Sequence, residues 1–258
     1  MATDRNPLKM PAKNNVHSLG KSYWLYGHHA VKMAANNTSR KLERLLTTPS
    51  ALQNLGPLPK TCPPPQTIQS ADLSKLLAPG AVHQGVAAKV HALKPVSFDQ
   101  FFSKLGDNNR YPVVVLDQVT DPRNVGAILR STAAFRGSAI IMQQRHAPEE
   151  SGIMAKAASG ALDLIPIVRV PNLSRTLRKL ASLGYWVVGL DHDGPKPLHS
   201  SPLDKPVALV LGGEGRGLRR LTRQSCDVLS KIEIQTDIGS LNVSISAAIA
   251  LYELDRRG

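Results

Sequence analysis

The chain has 258 residues, enough for one large domain or two modest ones, and 42% of them are hydrophobic, enough for a real core. Its formal net charge of +13 calls for a polyanionic partner, either nucleic acid or an anionic membrane. No apolar run reaches the roughly 18 residues of a membrane span, and the first residues lack the apolar core of a secretory signal, so we expect a cytoplasmic protein whose partner is nucleic acid rather than lipid.

Residues 1–22 carry Arg5, Lys9, Lys13 and Lys21 against Asp4 alone, a disordered basic arm that is either an RNA contact or a solvated tail. Residues 24–27 read as a strand ending in a turn, 29–36 as a helix, and 41–46 as a second strand or helix. Prolines 49, 57, 59 and 63–65 interrupt the next stretch; 70–77 reads as a helix closed by Pro79-Gly80, and 85–91 as a strand. Residues 23–92 thus form a small α/β unit. Its Lys32, Arg40, Lys41, Arg44 and Lys60 outweigh Glu43 and Asp72, the composition of an RNA-gripping module. His28 and His29 lack partner ligands at metal spacing, so a structural or RNA-contact role is expected for them. Cys62 and Cys226, two cysteines far apart in the chain, do not make a disulfide framework, and a reducing compartment is the simpler reading. Residues 93–110 read as a linker, with Phe98, Phe101 and Phe102 packing a short helix or stacking on bases, then a polar turn at 106–109.

From Tyr111 strand and helix alternate: strands at 113–116, 139–143, 165–170, 186–190, 207–211 and 231–235, and helices at 125–135, 152–159, 173–183 and from Val243 onward. Repeated βα units predict a mostly parallel sheet, whose ligands bind at the carboxyl ends of the strands. Three polar clusters fall there. In the first, Asp121-Pro122 reads as helix cap and first-turn proline, with Asn124 in the first turns and Arg130 about two turns later. In the second, Gly212, Gly213, Gly215 and Gly217 surround Glu214. This cluster lacks the Gly-Lys-Ser/Thr of a Walker loop, and its place in the chain is wrong for a dinucleotide fingerprint. Arg216, Arg219, Arg220 and Arg223 follow it at helical spacing, as a solvated basic face or a phosphate track. The third is Ser240-Leu241-Asn242, in which Asn242 either caps the last helix or joins a polar site.

Taken together, DPRNVGAILRSTAAF, LVLGGEGRGL and GSLNVSISAAIALYE resemble, in order and spacing, the three motifs of the SpoU/TrmH family of S-adenosyl-L-methionine-dependent RNA ribose 2′-O-methyltransferases. YGHHAV, GAVHQGVAAKV and AKAASGALDLIPIVRVPNLSRTL resemble the branch that methylates guanosine in bacterial large-subunit rRNA, although the N-terminal domain here is shorter and proline-rich around 57–65. The resemblance implies an α/β fold in two parts: a ribosomal-protein-like RNA-binding domain at 23–92, and a SPOUT domain at 111–258 with a parallel sheet, a deep trefoil knot and a homodimer interface beside the cofactor. General topology rules argue against knots. It also implies that S-adenosyl-L-methionine is held mainly by backbone groups of Gly212, Ile232 and Leu241, with Leu190, Leu211, Gly213, Gly215 and Ile234 beside them. Asn124, Arg130, Glu214, Ser240 and Asn242 would form the catalytic set. Arg130 would serve as a cation that grips phosphate and stabilises a forming alkoxide, because guanidinium is almost never neutral in proteins. RNA would meet Lys32, Arg40, Arg123, Arg216, Arg219, Arg220 and Arg223. No metal is required. The expected substrate is 23S rRNA; tRNA ribose methylation, and a non-catalytic RNA-binding or ribosome-assembly role, are the alternatives.

Overall fold

The computed structural model describes residues 21–105, 111–200, 205–235 and 239–257, so residues 1–20 of the basic arm and the 106–109 turn lie outside the described residues. The N-terminal part runs β1 (Ser22–Tyr26), α1 (His28–Asn36), β2 (Leu42–Thr47), α2 (Pro49–Leu55), β3 (Pro65–Thr67), α3 (Ser70–Leu76) and β4 (Val86–His91). Its sheet has the order β1-β4-β2-β3, with β4 antiparallel to both β1 and β2. The proline read as an interruption at 49 instead opens α2. Pro49 needs no N–H in the first turn, and the Thr48 hydroxyl accepts the Ala51 N–H at 3.3 Å.

The rest runs α4 (Phe98–Leu105), β5 (Val113–Asp117), α5 (Pro122–Ala134), β6 (Ala139–Gln143), α6 (Gly152–Ala158), β7 (Ile167–Val170), α7 (Leu173–Ser182), β8 (Trp186–Leu190), β9 (Lys196–Pro197), β10 (Val207–Gly212), α8 (Arg220–Arg223), β11 (Val228–Lys231) and α9 (Val243–Arg257). Seven strands pair in parallel in the order β7-β6-β5-β10-β8-β11-β9. Strand β5 is apolar on both faces because both are covered. Val114 and Leu116 join the core beneath α5, α6 and α9, while Val113 and Val115 join the core beneath α4 and α7. Strand β10 inserts between β5 and β8, so the carboxyl ends carrying Asp117, Gly212 and Leu190 lie side by side at a switch point of the sheet. Among the described residues, no helix is long and apolar enough to cross a membrane.

The structure departs from the sequence reading at three places here. The strand placed at 231–235 is Val228–Lys231: its pairing with β8 stops at Ser230↔Leu190, where β8 itself ends. The basic helix after the glycines has only four residues, Arg220–Arg223; Arg219 is its cap and Arg216 lies in the preceding turn, so the four arginines do not share one helical face. Residues 93–110, read as a linker, carry α4, whose Phe101 is buried in the second core and whose Phe102 meets Tyr185 edge-on at 5.9 Å.

The N-terminal unit packs on α6. A Cβ at Gly152 would lie 2.4 Å from the Trp24 carbonyl oxygen, and one at Gly160 would lie 2.5 Å from Met33 Cγ, so glycine is what permits this approach. On its other side α6 packs on α5, where a Cβ at Gly126 would lie 2.4 Å from the Met154 carbonyl oxygen.

Candidate active site

Strand β5 delivers Asp117, fully buried, to the switch point. The Asp121 carboxylate accepts the Arg123 N–H at 2.8 Å and starts α5, which turns Asn124 inward to 8% exposure. Asn124 Nδ2 donates to Glu214 Oε1 at 2.5 Å, and Asn242 Nδ2 donates to the same oxygen at 3.0 Å and to Asn124 Oδ1 at 3.2 Å. One carboxylate oxygen therefore ties three distant segments together. Asn242 also caps the last helix, since its Oδ1 accepts the Ser244 N–H at 2.9 Å in the first turn of α9.

The glycine loop folds back on itself. Gly213 N donates to the Asp117 carbonyl at 2.8 Å, and Gly217 N to the Gly213 carbonyl at 3.1 Å. A Cβ at Gly212 would sit 2.2 Å from the Gly217 carbonyl carbon, and one at Gly213 would sit 2.4 Å from the Gln118 carbonyl oxygen. Asp117 holds the far end of the loop, accepting the Arg219 N–H at 3.0 Å and its Nε at 2.7 Å, while Arg219 Nη2 reaches Gln143 Oε1 at 2.8 Å. Asp191, just beyond β8, pairs with Arg223 at 2.7 Å. Asp117 and Asp191 were not among the expected site residues. Their signal is an acid directly after a buried apolar strand.

These loops enclose a cavity of about 660 Å³. Leu190, Leu211, Ile232, Ile234 and Leu241 give it apolar walls, and Gly212, Gly213 and Gly215 open backbone groups to it. Glu214, Ser240, Asn242, Arg216 and Arg223 complete the lining among the residues expected from the sequence. Size and lining suit one small organic ligand that has both apolar and polar parts. The loop can keep this shape only while Gly212 and Gly213 lack a side chain, since a Cβ at either would meet the backbone of Gly217 or Gln118. Asp191, His192 and Asp193 bring one potential ligand atom each within 4.8 Å of one another, but Asp191 is already committed to Arg223.

Other expected residues lie elsewhere. Arg130 is exposed on α5, six residues beyond Asn124 and so about 120° around the helix, and has no ion-pair or hydrogen-bond partner among the described residues. Lys32, Arg123 and Arg220 are exposed, whereas Arg219 and Arg223 are half-buried and engaged by Asp117 and Asp191. Arg40 is a correction: its side chain is 0% exposed and locked to Glu150 and Asp163, so it cannot meet RNA.

The sequence pattern of the SpoU rRNA Methylase family matches residues 111–252, the segment that builds this cavity. The chain belongs to that family. The pattern described as RNA 2'-O ribose methyltransferase substrate binding matches residues 24–96. A 23S rRNA (guanosine-2'-O-)-methyltransferase RlmB from Photobacterium profundum is 36% identical over 246 residues, 90% of this chain and 97% of its own length. The RlmB of Nitrosomonas europaea is 44% identical over 175 residues, 68% and 67% of the two chains. The fold is also that of the SpoU methyltransferase AviRb from Streptomyces viridochromogenes, solved in complex with the cofactor AdoMet, with a TM-score of 0.72 at 22% identity over 92% of this chain and 90% of that one. Within this SpoU chain, Asn124, Glu214 and Asn242 come one from each of the three motifs, which accounts for the meeting of segments so far apart in sequence.

Proposed function

We propose that this protein methylates the ribose 2′-hydroxyl of a guanosine in large-subunit rRNA, using S-adenosyl-L-methionine. The observation that carries the reading is the Asn124–Glu214–Asn242 junction on the rim of a glycine-cradled cavity. When bound, the cofactor supplies a sulfonium methyl: the ribose oxygen gains it, the hydroxyl proton is released, and S-adenosylhomocysteine remains. Backbone groups of Gly212, Ile232 and Leu241 hold the cofactor, with Leu190, Leu211, Gly213, Gly215 and Ile234 around it. Glu214 keeps Asn124 and Asn242 fixed, so that the amides and the Ser240 hydroxyl are preorganised toward the ribose. Arg130 acts as a fixed cation for phosphate and for the developing oxyanion, not as a neutral base.

The reading includes a domain division at 23–92, 93–110 and 111–258, a knotted C-terminal domain and a homodimer. The dimer is supported by Ile245, Ile249 and Tyr252, which are 51%, 40% and 54% exposed at successive turns of α9, the helix that packs on the Arg130-bearing α5. Arg123, Arg216, Arg220 and Lys32 supply phosphate contacts. A cytoplasmic location follows from the substrate.

The test is transfer of labelled methyl from S-adenosyl-L-methionine to unmodified large-subunit rRNA and, separately, to bulk tRNA. Label mapped to one 2′-O-methylguanosine in rRNA is the expected result. Label in tRNA alone would replace the substrate, and absence of cofactor binding would leave a non-catalytic RNA-binding role.

A further inference from the structure

Arg40 is buried at the seam between the two domains, and this burial is informative. Its Nη1 donates to Glu150 Oε2 at 3.0 Å and to the His91 carbonyl at 3.1 Å, and its Nε donates to Asp163 Oδ1 at 2.5 Å. The Tyr23 hydroxyl adds a bond to Glu150 Oε2 at 3.1 Å, the Leu93 N–H one to Oε1 at 3.1 Å, and Asn37 Nδ2 one to Asp163 Oδ1 at 3.0 Å. All the donors to the two carboxylates belong to residues 23–93. Both carboxylates belong to the segments flanking α6, and the side chains of Glu150 and Asp163 are only 9% and 1% exposed.

Such a cluster adds little net stability, because desolvation of the charges offsets their attraction, and an apolar patch of equal volume does as well. What it adds is direction. A guanidinium fork bonded to two carboxylates accepts one orientation, whereas apolar surfaces slide. The rest of the seam is close-packed in the same sense, with β1 against Gly152, α1 against Gly160, and α6 against Gly126 of the helix that carries Asn124. A short, stiff path therefore runs from the RNA-binding domain through α6 and α5 to the active site.

We propose that the Arg40–Glu150–Asp163 cluster is a pin that fixes the RNA-binding domain relative to the methyl-transfer cavity and so selects the nucleotide that reaches it. Arg40 is then a positioning residue for substrate choice. The inference rests on the methyltransferase reading of the cavity. A long RNA gripped by one rigid body meets the cavity at a fixed effective concentration, and a loosened seam dilutes that.

The test uses the full chain with Arg40→Met, which keeps the packing but removes the fork, and with Arg40→Lys and Asp163→Asn, which remain available should Arg40→Met fail to fold. Four readouts are needed: cofactor affinity by calorimetry, kcat and KM on rRNA, the ratio of methylation at the target to that elsewhere in the same RNA, and the radius of gyration by X-ray scattering. For Arg40→Met we expect unchanged cofactor affinity and a KM raised roughly tenfold or more. Its kcat should change far less than its KM, its selectivity should fall and its particle should expand; Arg40→Lys should recover part of each. Unchanged KM and selectivity would overturn the pin, as would cofactor affinity lost in parallel, which would mark Arg40 as a general fold residue. A wild-type chain inactive on every RNA would sink the methyltransferase reading instead. An unexpanded Arg40→Met particle would overturn the pin in that case too.

Discussion

Replacing Glu214 with alanine removes the acceptor on which the three motif segments converge. Its Oε1 receives Asn124 Nδ2 at 2.5 Å and Asn242 Nδ2 at 3.0 Å. Asn124 is 8% exposed, so its amide loses the carboxylate and regains little water, at a cost of about 1–3 kcal/mol. Asn242 is exposed and rehydrates, which adds only about 0.5–1 kcal/mol. Glu214 is itself exposed, so the lower part of the range applies, about 1.5–2.5 kcal/mol in all. If both amides must be in place before methyl transfer, kcat/KM falls roughly 10- to 70-fold, at about 1.36 kcal/mol per factor of ten. Glu214→Gln keeps an acceptor but loses its charge, and should retain about half of the effect. The assay is initial-rate methyl transfer to rRNA with Glu214→Ala, Asn124→Ala and the double variant. A shared bond should appear as a coupling energy of about 1 kcal/mol or more. Additive losses, or Glu214→Ala rates within about threefold of wild type, would refute the idea that these residues act as one unit.

Gly212→Ala places a methyl group 2.2 Å from the backbone of Gly217 and should abolish cofactor binding measured by calorimetry. Gly215→Ala meets nothing within 4 Å and pays only for its φ of +80°, about 1–2 kcal/mol of stability, so binding should survive. Burial, with Asp227 nearby, pushes the Cys226 thiol from 9.0 up to about 12. The folded chain thus holds this proton more tightly than the unfolded chain. That stability is whole below pH 9 and is lost as pH rises toward 12, at no more than about 1.4 kcal/mol per pH unit. Urea midpoints of the wild type should therefore fall more steeply between pH 9 and about 11 than those of Cys226→Ala, and parallel curves would contradict the thiol's burial. Arg220→Glu should weaken binding to rRNA fragments of any sequence and flatten the log K against log salt slope by about 0.7–0.9. An unchanged slope would remove Arg220 from the phosphate contacts.

Most strands were legible because a doubly covered parallel sheet needs uninterrupted apolar runs, and Val113–Leu116 and Val207–Leu211 can hardly be anything else. The order in which they pair was not, since β10 enters between β5 and β8 through contacts about 95 and 21 residues apart in the chain. The strand expected at 231–235 shows the limit of periodicity. Lys-Ile-Glu-Ile-Gln alternates like a strand, but β8 ends at Leu190 and offers no partner beyond Ser230. Ile232 and Ile234 keep their alternation and turn it toward the cavity wall.

Charge was the least legible feature, and for a definite reason. Within residues 23–92 the acids are few, so Arg40 reads as a free cation, yet its carboxylates lie 110 and 123 residues away. The same holds for Arg219 with Asp117 and Arg223 with Asp191. A phosphate is bound most readily by cations that have no internal counter-ion, so tertiary pairing narrows the set proposed to face RNA. Among the cations proposed for RNA or phosphate, that subtraction leaves Lys32, Arg123, Arg130, Arg216 and Arg220, all exposed and without an acidic partner among the described residues. Arg123 and Arg130 lie on the helix that carries Asn124, Arg216 and Arg220 in and after the glycine loop, and Lys32 on the pinned N-terminal domain. The cations proposed to grip RNA are thus shared between the two proposed domains, and the proposed pin at Arg40 would give them a common frame.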